Sequence, residues 1–292
     1  MFELIKVTDK TYVINSPAKI GIVLLSENEV ILIDSGNDKE AGRKVRQICD
    51  EHKWKIKAIL NTHSNADHIG GNKYLINQTG CMAFSNPIER LFNRYPYLES
   101  SFLYGAYPPS DLRHKFLCAD ASESTDFSHP EFPQEIEIID LPGHFFQMVG
   151  FKTQDNVVFL ADSLASIDIL DKYAIFFIYD VKAFLESLVK IEKIEANYYI
   201  PSHADICTDI KPLVQYNRDK VHEIIQVIIN FCLEPIIFEH LLQKIFDHYQ
   251  LKLNFEQYVL VGSTVRSYCA YLKDQQLLDV IFKDNLLMWK KR

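Results

Sequence analysis

Short hydrophobic runs separated by polar turns fill the first part of the chain. Runs of this length, rich in Val and Ile and bounded by Ser, Asn, Asp or Glu, are typical of strands. Between residues 39 and 52 the apolar residues instead recur every three or four positions, as in an amphipathic helix. Hairpins followed by alternating strand and helix indicate a sheet covered by helices. We predict strands at residues 12–14, 21–25, 30–33 and 58–61 and a helix at 39–52.

The middle of the chain contains an irregular segment with further strands after it. Residues 87–134 are rich in aromatic residues and prolines, and we interpret them as an insertion rather than as part of a sheet. Regular patterns resume beyond this segment. We predict strands at residues 135–140, 149–153, 157–160 and 198–200 and a helix at 181–193.

The last part of the chain has a different pattern, dominated by amphipathic helices. These are predicted at residues 212–232, 236–249 and 255–273, followed by a hairpin at 278–289 that turns at Asp284 and Asn285. Helices followed by a hairpin resemble a winged-helix module. We therefore predict two domains, residues 1–207 and a small helical, winged-helix-like accessory domain at residues 208–292.

Composition and charge narrow the partners and the cellular setting. The formal charge of −8 and the pI near 5.7 disfavour nucleic acid as a partner, because phosphate contacts need clustered Lys and Arg. The six cysteines are scattered without a CxxC pair, which favours reduced thiols. The N-terminus lacks the order of a signal peptide, and the apolar stretches are too short to cross a bilayer. We expect a cytoplasmic protein without a membrane partner.

The most informative stretch follows the strand predicted at residues 58–61. It reads Asn61-Thr62-His63-Ser64-Asn65-Ala66-Asp67-His68. A loop leaving a strand end can turn alternate side chains toward one point, and His nitrogen and carboxylate oxygen are ligands that suit zinc. The stretch resembles the strand-end motif THxHxDH of the metallo-β-lactamase superfamily, with Asn65 in place of one histidine.

Further motifs of that superfamily follow in the expected order. They are Leu141-Pro142-Gly143-His144, Leu160-Ala161-Asp162-Ser163 and Pro201-Ser202-His203, with Ile31-Leu32-Ile33-Asp34-Ser35-Gly36 upstream. The resemblance covers about residues 10–205. It implies an α/β (α+β) fold, specifically an αββα sandwich with the site at one edge of its two sheets.

The resemblance also assigns roles to individual side chains. Asp34 would orient the ligand loop, as metal sites generally require, although capping a turn is an alternative role for it. The metal ligands fall into two positions that share one carboxylate: His63 and His144 at the first, Asp67, His68 and His203 at the second, and Asp162 bridging both.

Asn65 stands where the superfamily has a histidine of the first position. An amide oxygen is a weaker zinc ligand than imidazole, so this position is expected to lose affinity. Three arrangements stay open: one ion at the second position alone, two ions with Asn65 or water completing the first, or a mononuclear iron held by His63, His144 and Asp162. The cofactor is accordingly one or two zinc ions, with iron or manganese as alternatives.

The resemblance implies a metal-dependent hydrolase. Metal-bound hydroxide would attack the carbonyl of a small ester, thioester, lactone or amide, as in hydroxyacyl-thioester hydrolases, lactonases and β-lactamases. Asp67 would act as a catalytic residue that orients this water or accepts its proton. Two alternatives stay open: an oxidoreductase resembling the iron-dependent persulfide dioxygenases of this fold, and a catalytically degenerate metal-binding scaffold.

The insertion at residues 87–134 is expected to lie over the site. Its Tyr104 and Tyr107 are candidates for the substrate pocket, because tyrosine offers an apolar body with a polar tip. Anchoring a long loop is the alternative role for both. The expected partner is a small-molecule acyl substrate, and a homodimer is left open.

Overall fold

The computed structural model describes residues 2–292; Met1, with which the predicted first domain begins, lies outside the described residues. A six-stranded sheet runs in chain order: β1 (Glu3–Lys6), β2 (Thr11–Asn15), β3 (Ile20–Leu24), β4 (Glu29–Ile33), β5 (Lys55–Leu60) and β6 (Met82–Phe84). The first four strands pair antiparallel through short turns. The pairs β4–β5 and β5–β6 are parallel, because helical crossovers connect these strands.

A second sheet has four strands in the order β10-β9-β8-β7. These are β7 (Glu137–Asp140), β8 (Val149–Lys152), β9 (Val157–Ala165) and β10 (Tyr198–His203). β9 is buried along its whole length, so it lies at the centre of the fold. Its parallel pairing with β10 places the carboxyl ends of these two strands at the same edge of the sheet.

The two sheets pack face to face around one hydrophobic cluster. Ile31 and Leu60 of the first sheet meet Phe151 and Phe159 of the second in this cluster. Gly21 permits the close approach, because a Cβ at this position would lie 2.4 Å from the Phe159 ring. A side chain here would therefore push the sheets apart.

Helices cover both outer faces of the paired sheets. α1 (Lys39–Glu51) and α3 (Asn72–Thr79) pack on the first sheet through residues such as Val45 and Leu75. α7 (Val181–Ile191) and α8 (Lys211–Phe231) pack on β9 of the second sheet. The αββα sandwich predicted from the sequence is confirmed.

The insertion predicted at residues 87–134 contains two helices, α4 (Pro87–Arg94) and α5 (Tyr97–Tyr104), and a short 3₁₀ helix at Ser110–Leu112. These helices were not predicted, nor were α2 (Ala66–Ile69), α3 and α6 (Ile167–Tyr173). The end of β9 was also placed too early, because its polar Asp162 and Ser163 resemble the start of a loop although both are buried.

The C-terminal part contains α8, α9 (Phe238–His248) and α10 (Phe255–Asp274). The strands β11 (Ile236–Ile237), β12 (Leu278–Lys283) and β13 (Leu286–Lys291) form a small sheet in the order β11-β13-β12. The predicted helix at 236–249 thus begins with a two-residue strand. The domain boundary after residue 207 and the winged-helix resemblance stay predictions.

One hydrophobic cluster runs from the second sheet into this C-terminal part. It includes Leu160 of β9, Leu188 of α7, Ile224 of α8 and Val265 of α10. Across residues 2–292, no helix combines the length and apolar character needed to cross a bilayer.

Candidate metal centre

Four separate segments bring the six predicted metal ligands to one edge of the sandwich. The loop after β5 and the adjoining α2 supply three of them, and the turn after β7, the strand β9 and the end of β10 supply one each. They form two groups that share Asp162, and within each group one ligand atom per residue lies within 4.8 Å of the others. The groups are Asp67, His68, Asp162 and His203, and His63, His144 and Asp162.

The group of Asp67, His68, Asp162 and His203, which corresponds to the second metal position, is compact and partly open to solvent. The Nε2 atom of His203 lies 3.2 Å from the Asp162 carboxylate and 3.3 Å from that of Asp67. The Nε2 atom of His68 lies 3.2 Å from the other oxygen of Asp162. The Asp67 side chain is 36% exposed, whereas Asp162 is buried, so a small molecule can reach this group from the Asp67 side.

The group of His63, His144 and Asp162, which corresponds to the first metal position, is fully buried. The Nε2 atom of His144 lies 3.6 Å from Asp162, and the rings of His63 and His144 meet edge to face with centroids 5.2 Å apart. Asn65, which was predicted as a weak ligand, also reaches this group. Its Oδ1 atom lies 3.1 Å from Nε2 of His144.

The Nδ1 atoms of the histidines are held away from the centre. Nδ1 of His144 donates to the Phe177 carbonyl at 2.8 Å, and Nδ1 of His203 donates to the Pro17 carbonyl at 2.9 Å. Because a carbonyl can only accept, these bonds leave Nε2 of each neutral ring as the atom free to bind a metal.

Asp34 supports two histidines from behind. Its carboxylate lies 2.8 Å from Nδ1 of His68 and accepts hydrogen bonds from the backbone N–H and the hydroxyl of Thr62. The Thr62 hydroxyl in turn lies 3.0 Å from Nδ1 of His63. The structure thus places Asp34 against the ligand loop, where the carboxylate can orient both rings.

The pKa directions show that positive charge is stabilised at His68 and His203, whereas burial lowers the pKa of His63 and of His144. Burial lowers the pKa of His68, but Asp162, Asp67 and Asp34 outweigh it and hold that pKa well above its usual value. The pKa of His203 is likewise raised to about 10 against the effect of burial, chiefly by Asp162. Burial would raise the pKa of Asp162, yet His203 and His68 hold it well below its usual range.

The chemistry of the residues fits a divalent cation. Three buried atoms of the cluster, Nε2 of His63, Nε2 of His68 and Oδ1 of Asp162, have no hydrogen-bond partner in the described part of the chain. The last two lie close together but are not aligned as donor and acceptor. Unpaired buried polar atoms are costly, and divalent ions at the two metal positions would satisfy all three. Imidazole and carboxylate are also the ligand types that zinc binds.

Two buried glutamates of the insertion form hydrogen bonds with the ligand loop, and neither was predicted from the sequence. Glu89 of α4 accepts hydrogen bonds from the backbone N–H of Ser64 at 3.0 Å and of Gln147 at 2.8 Å. Glu99 of α5 accepts from Nδ2 of Asn65 at 2.7 Å. Glu89 lies one helical turn before the buried Phe92, so the spacing within α4 could have indicated that it faces inward.

Burial dominates the protonation of both glutamates. It raises the pKa of Glu89 to about 7, although the hydrogen bonds from Ser64 and Gln147 favour the charged form. Burial also raises the pKa of Glu99 well above its usual value, against the hydrogen bond from Asn65. Neither glutamate therefore behaves as an ordinary surface carboxylate.

The structure does not bring the two candidate pocket tyrosines to the metal ligands. Tyr104 lines a groove of about 670 Å³ between α5, α7 and α10, and its ring packs on Phe255. Tyr107 is 72% exposed, and its hydroxyl accepts a hydrogen bond from Arg113. A role for either residue in substrate binding stays a prediction.

Comparisons with known proteins agree on the family. A family model described as the metallo-beta-lactamase superfamily matches residues 20–203. The hydroxyacylglutathione hydrolase of Prochlorococcus marinus is 26% identical over 154 residues, covering 50% of this chain and 54% of that protein. The atrochrysone carboxyl ACP thioesterase of Aspergillus fumigatus is 22% identical over 197 residues, covering 66% of this chain and 52% of that protein. The chain thus spans about half the length of these curated relatives.

Solved structures match over nearly the whole chain. A beta-lactamase domain protein from Burkholderia ambifaria has a TM-score of 0.76 at 14% identity, covering 99% of this chain and 94% of that one. A metallo-beta-lactamase family protein from Thermus thermophilus has a TM-score of 0.72 at 15% identity, covering 100% of this chain and 97% of that one. At these identities the likeness shows a shared fold.

Proposed function

The chain belongs to the metallo-beta-lactamase superfamily, and from this premise we propose that it is a metal-dependent hydrolase of a small acyl compound. One observation carries the proposal. The six ligand side chains, contributed by four distant segments, converge in two groups that share the buried Asp162. Such a convergence is required to bind one or two divalent ions and has no need of a Ser or Cys nucleophile.

The proposed ligands fall into two groups, one for each ion. His63, His144 and Asp162 would hold one ion, and Asp67, His68, His203 and Asp162 the other, with zinc as the ion that suits these ligands best. A bound ion of this kind acidifies water and polarises a carbonyl oxygen.

Asp67 is the side chain best placed to accept a hydrogen bond, or a proton, from water. Burial opposes its charge, but the neighbouring His68 and His203 hold its pKa below the usual range, so it is a carboxylate at neutral pH. Its side chain is 36% exposed, whereas that of Asp162, the other carboxylate among the six ligands, is 5% exposed. A carboxylate in this position can accept a hydrogen bond from water and orient it toward a substrate carbonyl.

Thioesters are the substrate class that we propose. Both curated relatives described above carry names of enzymes that cleave acyl compounds, and one is named a thioesterase. A groove lined by Tyr104 and Tyr179 is joined to the turn that carries His144, because the backbone N–H of Tyr179 donates at 2.9 Å to the Gly143 carbonyl. The groove would hold the part of the substrate that leaves as a thiol.

Thiol release from a panel of acyl thioesters, with lactones and a β-lactam for comparison, tests this proposal. We expect the zinc-loaded protein to release thiol, and Asp67→Ala and His68→Ala to lower the rate by more than about 100-fold. His240→Ala, which removes an exposed histidine of α9, serves as the matched control and should leave the rate unchanged. A zinc-loaded protein that hydrolyses none of these compounds would favour a non-catalytic metal-binding scaffold.

An iron-dependent oxidoreductase is the second candidate. It is favoured by the buried group of His63, His144 and Asp162, which supplies the two histidines and one carboxylate of a non-haem iron site. The complete group of Asp67, His68, Asp162 and His203 has no role in such a centre, so we rank this function below hydrolysis. Oxygen consumption by the iron-loaded protein with a persulfide, and its absence with zinc, would support it.

A further inference from the structure

Both polar atoms of the Asn65 amide lie close to a buried side chain. Its Nδ2 atom donates to Oε1 of Glu99 at 2.7 Å, and its Oδ1 atom lies 3.1 Å from Nε2 of His144. Glu99 itself is 5% exposed. The orientation of the Asn65 amide is therefore set by a buried partner rather than by solvent.

The contact between Asn65 and His144 is not a hydrogen bond when the imidazole is neutral. Nδ1 of His144 carries the ring proton, because it faces the carbonyl oxygen of Phe177, which can only accept. Nε2 then presents a lone pair to Oδ1 of Asn65, which is also an acceptor. Two acceptors at this separation are mutually unfavourable unless both bind the same cation.

The Glu99 carboxylate, the form that a divalent ion bound nearby would favour, disfavours the opposite orientation of the amide. Turning Asn65 over would give Nδ2 a favourable contact with His144, but it would point Oδ1 at the Glu99 carboxylate, which can only accept. The carboxylate thus selects the orientation in which the amide oxygen faces the metal ligands.

We propose that Asn65 is a ligand of the first metal position and that Glu99 is the positioning residue that aims its amide oxygen at the ion. The inference rests on the proposed metal-dependent function, since it requires a divalent ion between His63, His144 and Asp162. It assigns to the insertion helix α5 a part in building the metal centre.

Titration of the metal-free protein with Zn²⁺, followed by calorimetry and by competition with a chromogenic chelator, tests the assignment. The wild-type protein should bind two equivalents. Asn65→Ala and Glu99→Leu should each weaken one equivalent by about 10- to 100-fold and leave the other unchanged. Glu99→Gln keeps an acceptor oxygen and should restore most of the affinity. The Co²⁺ absorption spectrum should change in the same variants, because the number of ligands changes.

Two further variants separate positioning from general loosening of the loop. In an Asn65→Ala background, Glu99→Leu should cause no additional loss of affinity, because Glu99 acts through Asn65. Ser100→Ala removes a buried hydrogen bond of the same helix, from the Ser100 hydroxyl to the Leu117 carbonyl, without touching Asn65 or the ligand loop. This matched control should lower the melting temperature and preserve both metal affinities.

Several outcomes would overturn the inference. They are wild-type affinity in Asn65→Ala, an equal loss in Ser100→Ala and Glu99→Leu, and a wild-type protein that binds only one equivalent. If Glu99→Leu does not fold, the Asn65→Ala titration still decides whether the amide is a ligand. A wild-type protein that binds no ion at all contradicts the proposed function itself, which distinguishes that failure from this one.

Discussion

Asp34 contacts the ligand loop at two points, and its carboxylate lies 2.8 Å from His68 and 2.8 Å from the Thr62 backbone nitrogen. Asp34→Asn should weaken zinc binding at the second position by about 10- to 100-fold, because an amide cannot accept from both partners at once. Calorimetric titration measures this loss. Asp38→Asn is the matched control: Asp38 caps α1 through Ala41, and Asn caps helices equally well, so metal affinity and stability should stay unchanged.

Glu89 should make the stability of the fold depend on pH. Its pKa is raised by burial from 4.5 to about 7, so its contribution to the free energy of unfolding is fully present below pH 4.5 and is lost as the pH rises through 7. In Glu89→Gln this loss, about 3 kcal/mol, should disappear. Urea unfolding of the metal-free proteins at pH 5 and pH 8 measures the difference.

At pH 5 the Gln variant should be the less stable protein, because an amide cannot accept from the backbone N–H groups of both Ser64 and Gln147. Between pH 5 and pH 8 the wild-type protein should lose about 3 kcal/mol relative to the variant. A difference between them that does not change with pH would show that Glu89 titrates as an ordinary carboxyl group.

At the scale of single residues, the sequence predicted most of the site because its motifs are local. His63, Asp67 and His68 share one loop, and Asp34 ends the strand beside it. Glu99 could not be predicted in the same way. Its contact with Asn65 joins two segments 34 positions apart, and no spacing rule relates a helix of an insertion to a strand-end loop.

At the scale of elements, the sequence predicted long and strongly periodic segments best. α1 and α7 were predicted within two residues of their observed ends, because each presents an apolar face through several turns. The four-residue α2 and the eight-residue α3, α4 and α5 were missed, since one or two turns carry too little periodicity to be recognised.

The packing of the two sheets yields a prediction for β3. Gly21→Ala would place a Cβ 2.4 Å from the Phe159 ring and 2.9 Å from Ile33, so we expect a loss of about 1–3 kcal/mol in the free energy of unfolding. Gly262→Ala in α10 is the control. Its new Cβ would lie 3.3 Å from the flexible Arg266 side chain and in ordinary contact with Leu242 at 3.5 Å, and alanine favours the helix. Urea denaturation of both variants checks the contrast; equal effects would contradict this account of Gly21.

At the scale of the whole molecule, the hydrophobic cluster shared by β9, α7, α8 and α10 should couple the sandwich to the C-terminal part. The two tryptophans report on the two parts separately: Trp54 is buried in the cluster beneath α1, and Trp289 lies on β13. Trp54→Phe and Trp289→Phe should each give one urea transition with nearly the same midpoint. Clearly separated midpoints would show that the two parts unfold independently.

The domain organisation was harder to infer from the sequence than the sandwich itself. The change from strands to amphipathic helices near residue 208 indicated a separate unit, yet Ile224 and Val265 share their hydrophobic cluster with Leu160. A pattern of apolar positions shows which face of a helix is buried. It does not show whether that face packs within its own unit or against a neighbouring sheet.

The central claim is that imidazoles and carboxylates from four segments bind divalent metal at one edge of the sandwich. Anomalous diffraction at the zinc absorption edge, from crystals of the zinc-loaded protein, tests it most directly. We expect one peak among Asp67, His68, Asp162 and His203 and a second among His63, His144, Asp162 and Asn65, each at the roughly 2 Å distances of zinc ligands. Zinc-loaded crystals with no anomalous peak within coordinating distance of these side chains would contradict the account.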